Sequence, residues 1–167
     1  MEYLGLYDND GNYTGERIER NKKSEIPEGK RFKVVLIFIQ NSKGEFLIQK
    51  VSKEKGSIYA VTGGHVQDGT SSLDTAKQEV LEELGLHLET KDFALFKIEK
   101  NHLAFQDCYY IKKDIDIKQI ILQEEEVESV EWMTIQKIEA LIEQGNFRTG
   151  NQSAFSFLLE NYLNNKN

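Results

Sequence analysis

Residues 63–86 have the sequence GGHVQDGTSSLDTAKQEVLEELGL, and this stretch decides how the rest of the chain is interpreted. Its pair of glycines follows a short run rich in β-branched and aromatic residues, and Gly69 adds a third glycine soon afterwards. Glycine permits tight turns and lets main-chain atoms approach a ligand or an ion closely. The stretch therefore predicts a strand, then a glycine-rich loop, then a helix.

The second half of the stretch carries start and stop signals for that helix. Ser71 is a favourable N-cap, and Asp74, three residues later, can act as its capping-box partner. Gly85 followed by Leu86 is typical of a glycine C-cap and its apolar follower. These signals predict a helix over residues 71–84.

Projected at about 100° per residue, the helix places its glutamates directly beside its apolar residues. The apolar stripe consists of Leu73, Ala76, Val80 and Leu84. Glu79, Glu82 and Glu83 lie at the margin of this stripe, where like charges repel more strongly than on an exposed helix. Such an all-oxygen cluster suits Mg²⁺ or Mn²⁺, and the alternative is an ordinary solvated acidic face. The combination of strand, glycine loop, capped helix and glutamates favours the metal site.

The rest of the chain alternates between strand and helix patterns, which predicts an α/β protein. A hairpin is expected at the N-terminus, turning at residues 8–11 and followed by a polar connecting loop over residues 21–30. Strands are predicted at residues 32–40, 45–50, 57–62, 93–99, 103–111 and 127–133, and further helices at 134–143 and 151–163. Residues 114–123 are ambiguous. The prediction is one domain over residues 1–167, with the hairpin and loop in residues 1–30 and the core in residues 31–167.

Composition limits the kind of protein this is. With 167 residues, 39% hydrophobic and 29% charged, the chain is typical of a globular domain and has no apolar run of the roughly 20 residues that span a bilayer. The first residues lack a basic leader or an apolar signal segment, and the single cysteine, Cys108, cannot form an intramolecular disulfide. The expectation is a cytoplasmic protein that does not bind a membrane.

The net charge narrows the choice of partners. Twenty-eight acidic and 21 basic residues give a formal charge of −7, without a dense lysine and arginine patch, so nucleic-acid polymers are not expected to bind. An acidic protein that handles small phosphorylated compounds needs a cation between itself and its substrate. The charge is therefore consistent with a bound Mg²⁺.

The quoted stretch resembles the box of the Nudix hydrolases, G-x5-E-x7-R-E-U-x-E-E-x-G-U, in which U is aliphatic. The matching residues are Gly64, Glu79, Val80, Glu82, Glu83, Gly85 and Leu86. Two positions depart, because Thr70 replaces the first glutamate of the box and Gln78 replaces its arginine. A hydrogen bond between these two side chains would be weaker than a charge-assisted one by about a factor of two.

The resemblance implies an α/β/α sandwich around a mixed sheet. It also implies Mg²⁺-dependent attack of water on phosphorus in a small-molecule diphosphate, such as a nucleoside diphosphate linked to a further group. By the same resemblance, Glu79 and Glu83 are the principal metal ligands, Glu82 completes the cluster, and the Gly64 carbonyl joins them. The family often supplies a further carboxylate from an acidic loop such as residues 124–126. Spacing does not choose among those three glutamates, and Glu125, the middle one, is taken as the candidate catalytic base.

Candidate substrate-binding residues come from the segment that leads into the glycines. They are Lys50, Lys55, Gly63, Gly64 and His65, with Lys53, Arg17 and Arg20 as further basic candidates. For the basic side chains, a solvated surface position is the alternative.

Isopentenyl-diphosphate isomerase and its hydrolase relatives are also similar, through residues 41–44, residues 49–50 and the Gly64-His65 pair. The isomerase needs a cysteine immediately before its Gly-His, where this chain has Gly63, and histidine ligands near the N-terminus, where this chain has none before His65. Isomerisation is therefore disfavoured. A second alternative is a non-catalytic Nudix-like module that senses a nucleotide or sugar phosphate. The N-terminal hairpin could form a homodimer interface or cover the core.

Overall fold

The computed structural model describes residues 1–164, and its strands and helices follow the alternation predicted from the sequence. The strands are β1 (Tyr3–Tyr7), β2 (Tyr13–Glu19), β3 (Phe32–Gln40), β4 (Phe46–Val51), β5 (Tyr59–Ala60), β6 (Thr62–His65), β7 (Ala94–Lys100), β8 (Ala104–Lys112) and β9 (Val127–Met133). The helices are α1 (Ser72–Leu84), α2 (Ile135–Glu143) and α3 (Thr149–Phe157), the last of which continues into a π-helical turn at Leu158–Tyr162. Short 3-10 segments lie at Arg20–Glu25, Lys53–Lys55, Thr90–Asp92 and Ile117–Gln119.

The sheet is mixed, as expected, and β3 is its central strand. β3 runs parallel to β8 from Phe32 to Gln40, and β7 pairs with the outer edge of β8. On the other edge, β3 pairs antiparallel with β6 through Val34–Ile37, and with β4 only at its last residue, Gln40. β4 continues the sheet to β5 and β9. One edge of β3 is therefore shared by two strands, β6 over Val34–Ile37 and β4 at Gln40, and the sheet divides there.

Helices cover both faces of the sheet. Alternate side chains of β3 point to opposite faces. One face is buried against α1, through Val35, Ile37, Ile39, Ala76, Val80 and Leu84. The other is buried against α2 and α3, through Leu36, Phe38, Ile138, Ala154, Phe155 and Leu158. The predicted α/β/α sandwich is confirmed.

The helix that carries the glutamates begins and ends where its sequence signals place it. The Ser71 hydroxyl accepts the Asp74 N–H at 3.0 Å, and Gly85 takes the left-handed conformation with a φ of 68°. Its N–H donates to the Leu81 carbonyl at 2.9 Å. The reciprocal capping-box bond from the Asp74 carboxylate is absent among the hydrogen bonds of residues 1–164. The cap at each end therefore fixes where α1 begins and ends.

The predicted N-terminal hairpin is confirmed, and it packs on the core of its own chain. Leu4 and Leu6 are buried, and Leu4 forms an antiparallel bridge with Gln67 of the glycine loop. A second bridge joins Tyr7 to Arg31, just before β3. The hairpin thus lies against the loop that precedes α1. Its proposed use as a homodimer interface stays a prediction.

The predicted strand over residues 57–62 is instead two short strands. Val61 lies between them, and its N–H donates to Oδ1 of Asn151 at 3.0 Å. That side chain replaces a strand partner, so the chain leaves β4 after Ala60 and joins β3 from Thr62. Asn151 also belongs to α3, which begins two residues earlier than predicted. Within residues 1–164, the structure contains no helix of the length and hydrophobicity that a bilayer crossing requires.

Candidate active site

β6 brings two glycines against neighbours that leave no room for a side chain. A Cβ atom on Gly63 would lie 2.5 Å from the carbonyl oxygen of Val35 in β3. A Cβ atom on Gly64 would enter the space of the Glu79 side chain. The first glycine lets the two strands pair closely, and the second lets α1 lie directly over the strand. The Glu79 side chain of α1 therefore lies against the main chain of β6 at Gly64.

Glu83 is the most buried of the three glutamates, with 7% of its surface exposed. The Gly63 N–H donates to its Oε1 at 3.4 Å. Burial first, and then the neighbouring Glu79 charge, raise the pKa of Glu83 to about 8, while hydrogen bonds from Gly63 and from the Gln49 side chain lower it. The Gln49 carbonyl accepts the Thr62 hydroxyl, which leaves the amide NH₂ free to face Glu83.

Glu79 is half-buried beside Gly64. Burial, and then the Glu82 charge, raise the pKa of Glu79 to about 7, whereas the positive charge of Arg20 lowers it. Two neighbouring carboxyl groups with raised pKa values share one face of α1. Their negative charge is therefore only partly compensated by the surrounding residues.

Glu82, which was predicted to complete the cluster, is more exposed than the two predicted principal ligands. It is exposed at the rim, and its Oε1 accepts the Gln78 amide at 2.7 Å. The bond considered between Thr70 and Gln78 is absent among the hydrogen bonds of residues 1–164, since Gln78 reaches one turn along α1 instead. Within those residues, no three acidic, imidazole or thiol side chains already converge as a metal cluster. The buried Glu79 and Glu83 pair, with Glu82 at the rim, is what the structure brings together.

A cavity of about 730 Å³ opens over these residues. It contains most of the predicted site: Lys55, Gly63, Gly64, His65, Glu79, Glu82 and Glu83. It also contains Arg20, one of the further basic candidates, and residues that the sequence did not identify as part of the site: Glu2, Gln49, Gln106, Arg148 and Asn151. Of these, Gln49 carried a signal, because an inward-facing polar residue in an apolar strand needs a hydrogen-bonding partner.

Lys50 was predicted to bind substrate, but it does not line the cavity. Neighbouring residues of a strand face opposite sides, and Gln49 faces the cavity. Lys50 therefore points away, where its ammonium lies 3.5 Å from the Glu128 carboxylate.

Glu125 was predicted to be the catalytic base, but the next residue of the acidic loop, Glu126, is the one that lines the cavity. Glu126 lines the cavity and forms an ion pair with Lys55, whereas Glu125 is exposed and does not. The proposed role therefore moves by one residue.

His65 lies at the edge of the cavity with an unusual partner. The Lys23 ammonium donates to its Nε2 at 2.9 Å, and Phe32 stacks on its ring. Burial, then the positive charges of Arg20 and Lys23, lower the pKa of His65 to about 4. The imidazole is therefore neutral near pH 7 and accepts a hydrogen bond from a cation.

The donor groups of the site fit a hard divalent cation. They are carboxylates and main-chain carbonyls, the ligand chemistry that Mg²⁺ and Mn²⁺ prefer. The Glu79 carboxyl group lies beside the main chain at Gly64. Burial raises the pKa of Glu79 and of Glu83, so their charged forms are disfavoured, and a bound cation would offset this cost.

Comparison with known proteins identifies the family. Residues 30–153 match the family model described as the NUDIX domain. The chain belongs to the Nudix family. The matched range contains β6, α1 and most of the cavity, and it leaves residues 1–29 outside. Nudix hydrolases cleave phosphoric anhydrides, so this Nudix protein is a pyrophosphohydrolase.

Two relatives from Listeria carry the same family name. An uncharacterized Nudix hydrolase of Listeria innocua is 32% identical over 126 residues, which cover 73% of this chain and 75% of the relative. One from Listeria monocytogenes is 30% identical over 154 residues, which cover 88% of each chain.

Solved structures support the fold of this Nudix protein. DR0079 from Deinococcus radiodurans superposes with a TM-score of 0.76 at 22% identity, covering 92% of this chain and 96% of that one. A bifunctional NMN adenylyltransferase/ADP ribose pyrophosphatase from Francisella tularensis, in complex with AMP and a manganese ion, superposes with a TM-score of 0.67 at 13% identity. That match covers 84% of this chain and 44% of the other. At these identities the likeness concerns the fold.

Proposed function

We propose that this Nudix protein hydrolyses the diphosphate linkage of a nucleoside diphosphate derivative or a similar small phosphorylated metabolite, with Mg²⁺ as cofactor and Mn²⁺ as a substitute. The observation that carries the proposal is the pair of buried carboxyl groups, Glu79 and Glu83, facing the glycine strand inside the cavity. Each raises the cost of ionising the other, which a divalent cation bound to a diphosphate would offset.

The residues of α1 and β6 would hold the cation. Glu79 and Glu83 are the principal ligands in this proposal, with Glu82 at the rim and the Gly64 carbonyl as further ligands. When bound, the cation neutralises phosphate charge and lowers the pKa of a water molecule. Gln49 and the Gly63 N–H hold the Glu83 carboxylate in place. These two donors thereby orient Glu83 before substrate arrives.

Glu126 is the proposed proton acceptor for the attacking water. It lines the cavity and forms an ion pair with Lys55, which lies on the 3-10 segment Lys53–Lys55. A base that is positioned by an ion pair loses less entropy when the water binds. Lys55 is then close enough to the cavity to interact with substrate phosphate as well.

The cavity also contains polar side chains for a substrate group beyond the diphosphate. Gln106, Arg148 and Asn151 line it with amide and guanidinium groups, together with the apolar Val34 and Leu36. Such a surface suits a hydroxyl-bearing or ring-nitrogen-bearing moiety better than a long apolar chain.

The structure argues against the isomerase alternative. The isomerase cysteine would fall at Gly63, where a Cβ atom would lie 2.5 Å from the Val35 carbonyl. Cys108 is buried in β8, and burial raises the pKa of its thiol to about 12. A thiol of this kind is a poor acid and nucleophile at neutral pH.

A substrate screen with Mg²⁺ tests the proposal. Nucleoside diphosphate sugars, dinucleoside polyphosphates, nucleoside triphosphates and prenyl diphosphates would be compared by release of phosphate or pyrophosphate. We expect Mg²⁺-dependent turnover of at least one nucleotide, and its loss in the Glu83→Gln variant. Ligand-induced thermal stabilisation without turnover of any compound would overturn the hydrolase and support the sensing module.

A further inference from the structure

The N-terminal segment, residues 1–29, lies outside the NUDIX match but contributes to the cavity. Glu2 and Arg20 line it, and Lys23 contacts His65 at its edge. We refer to Arg20 and Lys23 as the cationic wall. Both lie on the 3-10 segment Arg20–Glu25, which follows the hairpin, so the wall is not part of the Nudix box.

Arg20 is held in a fixed position relative to the glycine loop. The Arg20 guanidinium is paired with the Glu2 carboxylate at 2.6 Å, and the main-chain N–H of Arg20 donates to the Glu2 main-chain carbonyl at 3.0 Å. Gln67 of the glycine loop donates to the same carboxylate at 3.3 Å. The hydrogen bonds therefore fasten Arg20, through Glu2, to the loop that precedes α1. Its charge also acts on the Glu79 carboxyl across the cavity, whose pKa it lowers.

Lys23 is a half-buried cation without an anionic partner. Its ammonium donates to the neutral His65 ring, and its other close contact is the Phe32 ring, 5.6 Å from the nitrogen. Within residues 1–164, no carboxylate forms an ion pair with it, although other lysines have one. Burial, and then the charge of Arg20, lower the pKa of Lys23, so this arrangement disfavours the charged form. An anion placed between the two cations would relieve the repulsion.

The cationic wall also borders a second pocket. This pocket of about 410 Å³ is lined by Met1, Glu2, Arg20, Asn21 and Lys23. Glu2 and Arg20 line both the pocket and the catalytic cavity, so the two spaces meet at this ion pair.

We propose that the cationic wall binds a phosphate group of the substrate, at the junction of the two pockets and opposite the carboxylate pair. The proposal rests on the hydrolase function given above and deepens it. It implies a substrate whose second or terminal phosphate lies on the hairpin side while its other phosphate lies at the glutamates. The guanidinium and the ammonium provide several charged donors for its oxygens.

Binding of inorganic pyrophosphate to the full-length protein, measured by calorimetry with EDTA present, tests the site without turnover. Arg20→Gln and Lys23→Gln should each weaken binding about tenfold, as expected for loss of one charge-assisted contact. Lys22→Gln is the matched control, because Lys22 is exposed on the same 3-10 segment, pairs with Glu19 at 3.7 Å and lines neither pocket. Its affinity should change less than about twofold.

Kinetics on the best substrate provide the second readout. Arg20→Gln should raise KM about tenfold with a smaller change in kcat, because the contact binds ground state and transition state alike. Unchanged pyrophosphate affinity and KM in both variants, or no pyrophosphate binding by the wild type, would overturn the proposal. If the hydrolase function alone is wrong, the wild type will show no turnover, while Arg20→Gln and Lys23→Gln will still bind pyrophosphate about tenfold more weakly. Glu83→Gln should lose turnover and keep metal-free pyrophosphate binding.

Discussion

A Cβ atom built on Gly64 would lie 2.3 Å from Cδ and 2.4 Å from Oε1 of Glu79. These distances are far shorter than any contact between carbon or oxygen atoms that are not bonded to each other. The Glu79 side chain therefore occupies the space that a Cβ atom at residue 64 would need. The position of the Glu79 carboxylate depends on this glycine.

Gly64→Ala should move the Glu79 carboxylate and lower kcat about 100-fold, because a displacement of about 1 Å can cost that much. Overpacking should also lower the free energy of unfolding by about 1–3 kcal/mol. Gly150→Ala is the matched control, since its Cβ would lie 3.5 Å from Nε2 of Gln106, an ordinary contact in the same cavity. Steady-state kinetics and urea denaturation measure both effects. Wild-type kcat in Gly64→Ala would contradict the predicted role of this contact.

Glu79→Gln and Glu83→Gln should each lower kcat about 100-fold or more, because each removes a negative charge at the proposed metal ligands while keeping the side-chain size. Glu82→Gln should have a smaller effect, since Glu82 is exposed and already bonded to Gln78. Glu139→Gln, on the exposed side of α2, is the control. Metal affinity should fall in parallel. Full turnover in either of the first two variants would mean that the ligands lie elsewhere.

Glu126→Gln should lower kcat about 100-fold, as expected for loss of a general base. Glu125→Gln should stay close to the wild type, because the residue does not line the cavity. A larger loss of kcat in Glu125→Gln than in Glu126→Gln would identify Glu125 as the base, as expected from the sequence.

The metal-free protein should become less stable as the pH rises. Folding raises the pKa of Glu79 to about 7 and that of Glu83 to about 8, from an ordinary value of 4.5. The folded state therefore holds protons that the unfolded state has released. This contribution to stability is complete below the unfolded value and is lost as the pH rises through the folded values.

Urea denaturation in EDTA at about pH 5 and about pH 8.5 tests this linkage. The free energy of unfolding of the wild type should fall more between these two conditions than that of Glu83→Gln, which cannot ionise at residue 83. Mg²⁺ should reduce the fall in the wild type. Equal losses in the two proteins would show that Glu83 is not the group responsible.

Much of the local structure could be predicted because its determinants are close together in the sequence. The caps at Ser71 and Gly85, and the spacing of Glu79 and Glu83 beside the apolar stripe, depend on residues within one helix. β3 and β9 begin and end at the predicted residues, and in β3 the signal is a nearly continuous run of β-branched and aromatic residues.

What the sequence could not predict depends on contacts between distant segments. β5 and β6 are separate because Val61 bonds to a side chain 90 residues away in the chain. Arg20 lies in the cavity only because the hairpin packs against the glycine loop. For Glu125 and Glu126, a difference of one residue in the loop decides which carboxylate faces inward, and composition contains no such information.

The division of the sheet along β3 has a consequence for how rigid the catalytic apparatus is. Gly63 and Gly64 pair with Val35 and Leu36, in the middle of the strand that both halves of the sheet share. Because they pair with the central strand, we expect the main chain at these two glycines to be more rigid than an exposed surface loop. In native-state hydrogen exchange, the hydrogen-bonded amides of β6 should open only with global unfolding, so that a molecule that retains its fold also retains its catalytic geometry.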